Sequence, residues 1–135
     1  MMVKQGEGDI TTRTRTVLIV DDDEALLSVL KISLERKKYV VFTATSGNLA
    51  LQVLKREEVD LVLSDCRMPD GDGLFLLSEV RKQNKITPIF VLMTGYTEIS
   101  IEDAKKKGAN YMFFKPIRSQ ELHQIIDQYF APQVK

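Results

Sequence analysis

Five short runs of almost unbroken apolar, β-rich residues punctuate this chain. They are Thr16–Val20 (TVLIV), Tyr39–Thr43 (YVVFT), Asp60–Ser64 (DLVLS), Pro88–Met93 (PIFVLM) and Asn110–Phe114 (NYMFF). A strand with one face in water alternates apolar and polar residues; these runs do not, so each predicts a strand covered on both faces. Between and after them, apolar residues recur at helical spacing: Leu26, Leu27, Leu30 and Leu34; Leu49, Ala50, Val53 and Leu54; Leu74, Leu77 and Val80; Leu122, Ile125, Ile126 and Tyr129. Thr97–Lys107 is the weakest of the predicted helices, with Ile101 and Ala104 as its inner face, and Gly108 after Lys105–Lys107 suits a cation-rich C-terminus closed by a left-handed glycine.

Alternating strand and helix signals predict an α/β fold. The pattern is (βα)5, a flavodoxin-like three-layer sandwich around a parallel five-stranded sheet of order 2-1-3-4-5 with right-handed crossovers. The chain's 135 residues suffice for one such domain. We assign 16–131 to it, with 1–15 as a flexible N-terminal tail and 132–135 as a C-terminal tail. Nineteen Lys and Arg balance nineteen Asp and Glu, which argues against direct nucleic-acid binding through a basic surface. No apolar run approaches the length that spans a bilayer, and the N-terminus lacks the apolar core of a secretory signal. The single cysteine, Cys66, excludes an internal disulfide and points to the cytoplasm.

In such a sheet, ligands bind beyond the carboxyl ends of the strands. Asp21, Asp22, Asp23 and Glu24 follow the first strand, Asp65 the third, Thr94 and Gly95 the fourth, and Lys115 and Pro116 the fifth. Thr45 and Ser46, after the second, read as a helix cap and nothing more. Three carboxylates brought together repel by ~4 kcal/mol per pair at ~4 Å and an effective dielectric of ~20. A hard divalent cation with oxygen ligands relieves that repulsion. Asp21, Asp22 and Asp65, a divalent metal and Lys115 then cancel formally. A phosphoryl group set against the metal, Lys115 and the Thr94 hydroxyl would be well placed for transfer to an Asp carboxylate.

Taken together, VDDDE (20–24), SDCRMPDGDG (64–73), MTG (93–95) and GANYMFFKP (108–116) resemble the receiver domain of bacterial two-component response regulators over roughly residues 15–130. The resemblance implies that Asp65 accepts a phosphoryl group from the phosphohistidine of a sensor histidine kinase or histidine phosphotransfer protein. It implies that Asp21, Asp22, Asp65 and the backbone carbonyl of Arg67 hold Mg2+, with Mn2+ as a substitute. Lys115 pairs with Asp65 and then with the phosphoryl oxygens, and Thr94 swings to the phosphoryl group. Met68, Pro69, Gly71 and Gly73 shape the loop beside the metal, Gly95 leaves room for the donor, and a cis Lys115–Pro116 bond aims the lysine. The output is a surface of the fourth helix, fifth strand and fifth helix. That surface would engage a downstream protein or form a phosphorylation-dependent dimer, with no membrane contact and no catalysis beyond self-phosphorylation and self-dephosphorylation.

One position departs from the pattern. The family places Tyr or Phe three residues before the lysine; here Met112 takes that switch position, since Tyr111 and Phe113 fall on the opposite strand face. Arg67 and Tyr96, two positions after Asp65 and Thr94, are expected to screen an acyl phosphate from water.

Individually the motifs have plainer readings. Asp21–Glu24 would serve as the acidic first turn of a helix, Asp65 and Lys115 as a structural ion pair, Cys66 as packing opposite Asp65, and His123 as a helix boundary residue. A calcium loop at Asp70–Gly73 fails because its twelfth position is Arg81 rather than Glu. An FMN site lacks a Ser/Thr-rich loop after the first strand. Two alternatives stand beside the main reading: a receiver segment of a larger DNA-binding regulator or hybrid kinase, and, more distantly, a haloacid-dehalogenase-type phosphatase using Asp21–Asp23.

Overall fold

All five apolar runs form strands, and the strands pair in parallel in the order β2-β1-β3-β4-β5. The computed structural model describes residues 14–95 and 99–130. Its elements are β1 (Thr16–Val20), α1 (Glu24–Arg36), β2 (Val40–Ala44), α2 (Gly47–Arg56), β3 (Leu61–Asp65), α3 (Gly73–Gln83), β4 (Ile89–Thr94), α4 (Ile101–Lys106), β5 (Tyr111–Phe114) and α5 (Ser119–Phe130). Strand residues sort by parity onto two cores. Leu18, Val20, Val62, Phe90, Leu92 and Met112 pack with α2, α3 and α4 through Ala50, Val53, Leu76, Leu77 and Ala104. Val17, Ile19, Leu61, Leu63, Val91, Met93 and Phe113 pack with α1 and α5 through Leu27, Leu30, Leu34, Leu122 and Ile126. Two buried faces explain the continuous apolar runs of β1, β3 and β4, whereas the edge strands β2 and β5, expected to be covered on both faces as well, leave Val40 and Phe114 exposed. Each fully buried Leu, Val or Phe contributes roughly 1.5–3 kcal/mol.

Local side chains set the helix starts. Asp23, Ser46, Asp72 and Ser100 each accept the N–H three residues on, from Leu26, Leu49, Phe75 and Asp103. Gly108, at φ +111°, closes α4, with Ala109 N–H returning to the Ala104 carbonyl. Among the described residues no helix is long and apolar enough to cross a membrane.

Several boundaries differ from expectation. Strands β2, β3 and β4 begin one residue later than predicted and continue one residue further, to Ala44, Asp65 and Thr94, while β5 starts at Tyr111. Helix α4 is shorter than Thr97–Lys107, because the Ser100 hydroxyl takes the Asp103 N–H and fixes the start at Ile101. Leu49, placed on the inner face of α2, is 44% exposed; Gly47, Ala50 and Val53 are the buried positions. Arg15, counted with the tail, belongs to the fold: its carbonyl accepts Val40 N–H at 2.9 Å and its guanidinium lies over the Phe130 ring. Residues 1–13 and 132–135 of the expected tails, and Tyr96 with the predicted start of the fourth helix at Thr97, lie outside the described residues.

Candidate functional site

The acidic run after β1 is divided between two jobs. Asp23 caps α1, its Oδ1 accepting Leu26 N–H at 3.1 Å. Asp21 turns inward, 1% exposed, and accepts Asp23 N–H at 2.9 Å and the Lys115 ammonium at 2.7 Å. The capping role of Asp23 takes the second carboxylate away from the Asp21–Asp23 pair that a dehalogenase-type phosphatase would use.

Register brings Asp65 to the same place. β1 and β3 are neighbours, and Asp65, ending β3 opposite Met93, is buried beside Asp21. The carboxylates of Asp21, Asp22 and Asp65 each offer an oxygen within 4.8 Å of the others. Asp22 is exposed, which leaves the cluster open to solvent on one side. Lys115 reaches both inner carboxylates, at 2.7 Å from Asp21 and 3.2 Å from Asp65. The expected Lys115–Asp65 pair is therefore shared, and the more deeply buried Asp21 takes the shorter bond. Lys115 is itself set by its backbone N–H donating to the Thr94 carbonyl at 2.8 Å. The Lys115–Pro116 peptide is cis, as is Thr87–Pro88.

Charge in this corner is out of balance. Burial, and then the charge of Asp21, push the Asp65 carboxyl above the ordinary carboxylate value, against the lowering pull of Lys115 and of the Arg67 backbone N–H that it accepts. Burial works against the Lys115 ammonium, yet its bond to Asp21 and the two carboxylate charges leave it held above the usual lysine value. Three carboxylates against one ammonium leave a formal excess of two negative charges, which suits one divalent, oxygen-ligated cation. The residues present fit such an ion.

The neighbouring loop is built into the site. Gly73 N–H donates to the Cys66 carbonyl at 3.0 Å, and a Cβ on Gly73 would stand 2.1 Å from the Asp65 carbonyl oxygen, so only glycine lets α3 start this close to β3. Asp70 (φ +60°) and Gly71 (φ +93°) turn the chain before it. Ser46 does more than cap α2: it also donates to Asp70 Oδ2 at 2.9 Å, while Asn48 donates to Oδ1 at 2.9 Å. Those bonds, Asn48 first, hold the Asp70 carboxyl below its usual value. Sequence reasoning missed this tether because its partners lie more than twenty residues apart.

Thr94 is 1% exposed, and its hydroxyl hydrogen-bonds the thiol of Cys66, which lies one step past the Asp65–Met93 pair. Burial raises that thiol to about 11. Met112 is fully buried on the Thr94 face of the sheet, Phe113 packs on the other, and Tyr111 joins Phe113's side. A Cβ on Gly95 would meet nothing within 4 Å. Pro116 is exposed. His123 is half-buried on α5, its Nε2 2.7 Å from the Ser33 hydroxyl on α1 and remote from this edge. The structure thus joins Asp21, Asp22, Asp65 and Lys115 directly, and carries Thr94 and Arg67 at their border.

Comparison with known proteins points the same way. The model of the response regulator receiver domain matches residues 17–127. The chain is 39% identical over 111 residues to the transcriptional regulatory protein GlrR of Escherichia coli (strain K12), a match covering 82% of this chain but 25% of that protein. It therefore spans about a quarter of that curated relative. Among solved structures, the CheY-like receiver domain protein from Methanospirillum hungatei JF-1 superposes with a TM-score of 0.80 at 30% identity, covering 87% of this chain and 94% of that one. The response regulator TrrA from Thermotoga maritima, solved in complex with Mg(2+)-BeF, gives 0.76 at 29% identity, covering 85% and 98%.

Proposed function

This chain belongs to the response regulator receiver domain family, and on that premise we propose that it receives a phosphoryl group on Asp65 and passes the signal to a partner protein. The observation that carries the proposal is the shared grip of Lys115 on Asp21 and Asp65 inside a three-carboxylate cluster. One Asp65 oxygen attacks phosphorus, the bond from phosphorus to the imidazole nitrogen of a histidine kinase or phosphotransfer protein breaks, and the imidazole leaves with the electron pair. An acyl phosphate on Asp65 results.

Asp21, Asp22, Asp65 and the Arg67 carbonyl would hold Mg2+, which when bound supplies charge neutralisation and an anchor for a phosphoryl oxygen. Lys115 then moves its hydrogen bonds from carboxylate to phosphoryl oxygen. The Thr94 hydroxyl leaves Cys66 for the same group, and the loop after β4 follows it. Sulfur is a weak acceptor, so that exchange costs little. Movement at Thr94 biases α4, β5 and α5, the surface offered to an output protein or a second phosphorylated copy. Met112 fills the switch position as a flexible packing group. Arg67 screens the acyl phosphate from water. The setting is cytoplasmic, and the chemistry stops at gain and loss of Asp65's own phosphate.

The test is incubation with acetyl phosphate followed by intact-mass measurement. A single phosphate adduct that requires Mg2+, is lost in alkali and is absent from Asp65→Asn supports the proposal. Absence of the adduct in wild type with Mg2+, or its persistence in Asp65→Asn, overturns it.

A further inference from the structure

Helix α3 separates two grooves of opposite charge. The groove between α3 and α4, about 580 Å³, has Leu74 and Leu77 in its lining, and all its ionisable groups are cations: Arg81, Lys82, Lys85 and Lys107. The groove between α2 and α3, about 960 Å³, sets Glu57, Glu58, Asp60 and Glu79 against the single cation Lys55. In a chain with equal numbers of acids and bases this is a segregation, not an overall bias.

Part of that charge is used internally. Lys82 pairs with Glu79 at 2.9 Å, Arg81 donates to the Gly108 carbonyl at 2.8 Å, and Asp60 accepts Thr16 N–H at 2.8 Å. Glu58 and Lys85 are exposed and make no ion pair within the chain among the described residues. The same face leaves apolar area in water at Leu49 (44% exposed), Phe75 (39%) and Ile86 (75%).

From this pattern we propose that the α2–α3–α4 face is a self-association surface, on which a second copy of this chain docks about a two-fold axis running along α3. Such an axis exchanges left and right while preserving height, so each copy's acidic groove lies over its partner's basic groove. A two-fold axis across α3 would instead lay like charge on like. The heights agree. β3 and β4 pair Leu61 with Ile89, and Glu58 and Lys85 stand three and four residues before those positions, at the same end of the sheet. Each dimer therefore gains two Glu58–Lys85 contacts and buries Phe75 and Ile86 near the axis. This association needs neither Asp65 nor phosphate, and its face is centred on α3, sharing only α4 with the α4–β5–α5 surface.

The experiment is sedimentation velocity on the full, unphosphorylated chain without Mg2+, at low and high salt. Wild type should dimerise reversibly, more weakly as salt rises. Glu58→Lys and Lys85→Glu should each weaken the dimer about tenfold or more. An equimolar mixture of the two should return to the wild-type level, because every contact in the mixed dimer is again between opposite charges. The doubly swapped Glu58→Lys/Lys85→Glu chain should do the same alone, and circular dichroism confirms that each variant is folded. A wild-type monomer up to about 1 mM, leaving the face to some other protein, overturns the proposal. So does a mixture that binds no better than its components, or a dimer indifferent to salt.

Discussion

At the scale of single residues, the candidate site stores repulsion. Asp65 is held next to Asp21 by the sheet register rather than by mutual attraction, and Lys115 offsets only part of the cost. Removing one charge should therefore help the fold. Asp65→Asn is expected to raise the melting temperature without Mg2+ by about 3–5 °C near pH 7, corresponding to about 1 kcal/mol after allowance for solvent screening. The sign follows from the raised Asp65 value. A carboxyl easier to protonate in the folded state supports folding at low pH, and loses that support as pH rises through its folded-state value. The advantage of the Asn variant should thus grow as pH rises, shrink on acidification, and vanish below the ordinary value of 3.8. Paired thermal melts from pH 3 to 8 check this; a variant less stable than wild type at pH 7 would mean that Lys115, not Asp21, dominates the balance. Their positions after the predicted strands could bring these residue types together, but the split of the acidic run into a cap (Asp23), an inner carboxylate (Asp21) and an exposed one (Asp22) depends on where the chain turns after β1, and only the fold supplies that.

At the scale of elements, the sheet was legible because its inner strands β1, β3 and β4 are buried on both faces and so carry an unbroken apolar signal, while the edge strands β2 and β5 kept apolar runs despite exposed residues at Val40 and Phe114. What that signal misplaced were the strand ends. Judged by apolarity, β3 stops at Ser64 and β4 at Met93; the backbone ladder runs on through Asp65 and Thr94, because pairing is indifferent to the polarity of a side chain. The boundary error thus fell on the residues that carry the chemistry. Helix α2 shows the complementary limit: its apolar spacing leaves Leu49 at the margin of the stripe, where tertiary packing exposed it. The close approach of α3 to β3 was also hidden, since the two glycines of DGDG signal a turn without saying what lies against Gly73. That approach yields a prediction. Gly73→Ala puts a methyl group 2.1 Å from a backbone oxygen that no rotamer change can move. The start of α3 must back away, taking the Gly73–Cys66 hydrogen bond with it. A loss of about 3 kcal/mol or more in urea unfolding is expected, and displacement of Asp65 should weaken Mg2+ binding as well. A Gly73→Ala protein of wild-type stability would show that the loop yields more readily than its contacts suggest.

At the scale of the whole molecule, the carboxylate cluster found among the described residues sits at one edge of the sheet, supplied by the residues after the inner strand β1 and by the end of the central strand β3, with the Lys115 ammonium after β5 set against it. The parallel sheet and its ligand edge followed from the alternation of strand and helix signals, and the expected order 2-1-3-4-5 is the one observed, so this much of the site was readable in advance. The sharing of Lys115 between Asp21 and Asp65 was not, because it depends on distances across three strands. A cation bound there contacts groups that are scattered in the unfolded chain, so it stabilises the folded state alone. Free Mg2+ at about a hundred times its dissociation constant should add about 2.7 kcal/mol to stability, or roughly 10 °C in melting temperature for a domain this size. Since β1 and β3 are both inner strands of the sheet, the gain should move one cooperative transition rather than split it. Ligation requires ionised carboxylates, and Asp65 is protonated more readily than an ordinary aspartate. The Mg2+ increment should therefore begin to fall on acidification at a pH above 3.8, earlier than an unperturbed carboxylate would allow. Asp21→Asn, which keeps the shape of the side chain and removes one charge, should abolish most of the increment at pH 7. Melting curves with and without Mg2+ for both proteins decide the matter: an equal shift in Asp21→Asn would place the cation elsewhere on the surface, and the three-carboxylate cluster would lose its claim to it.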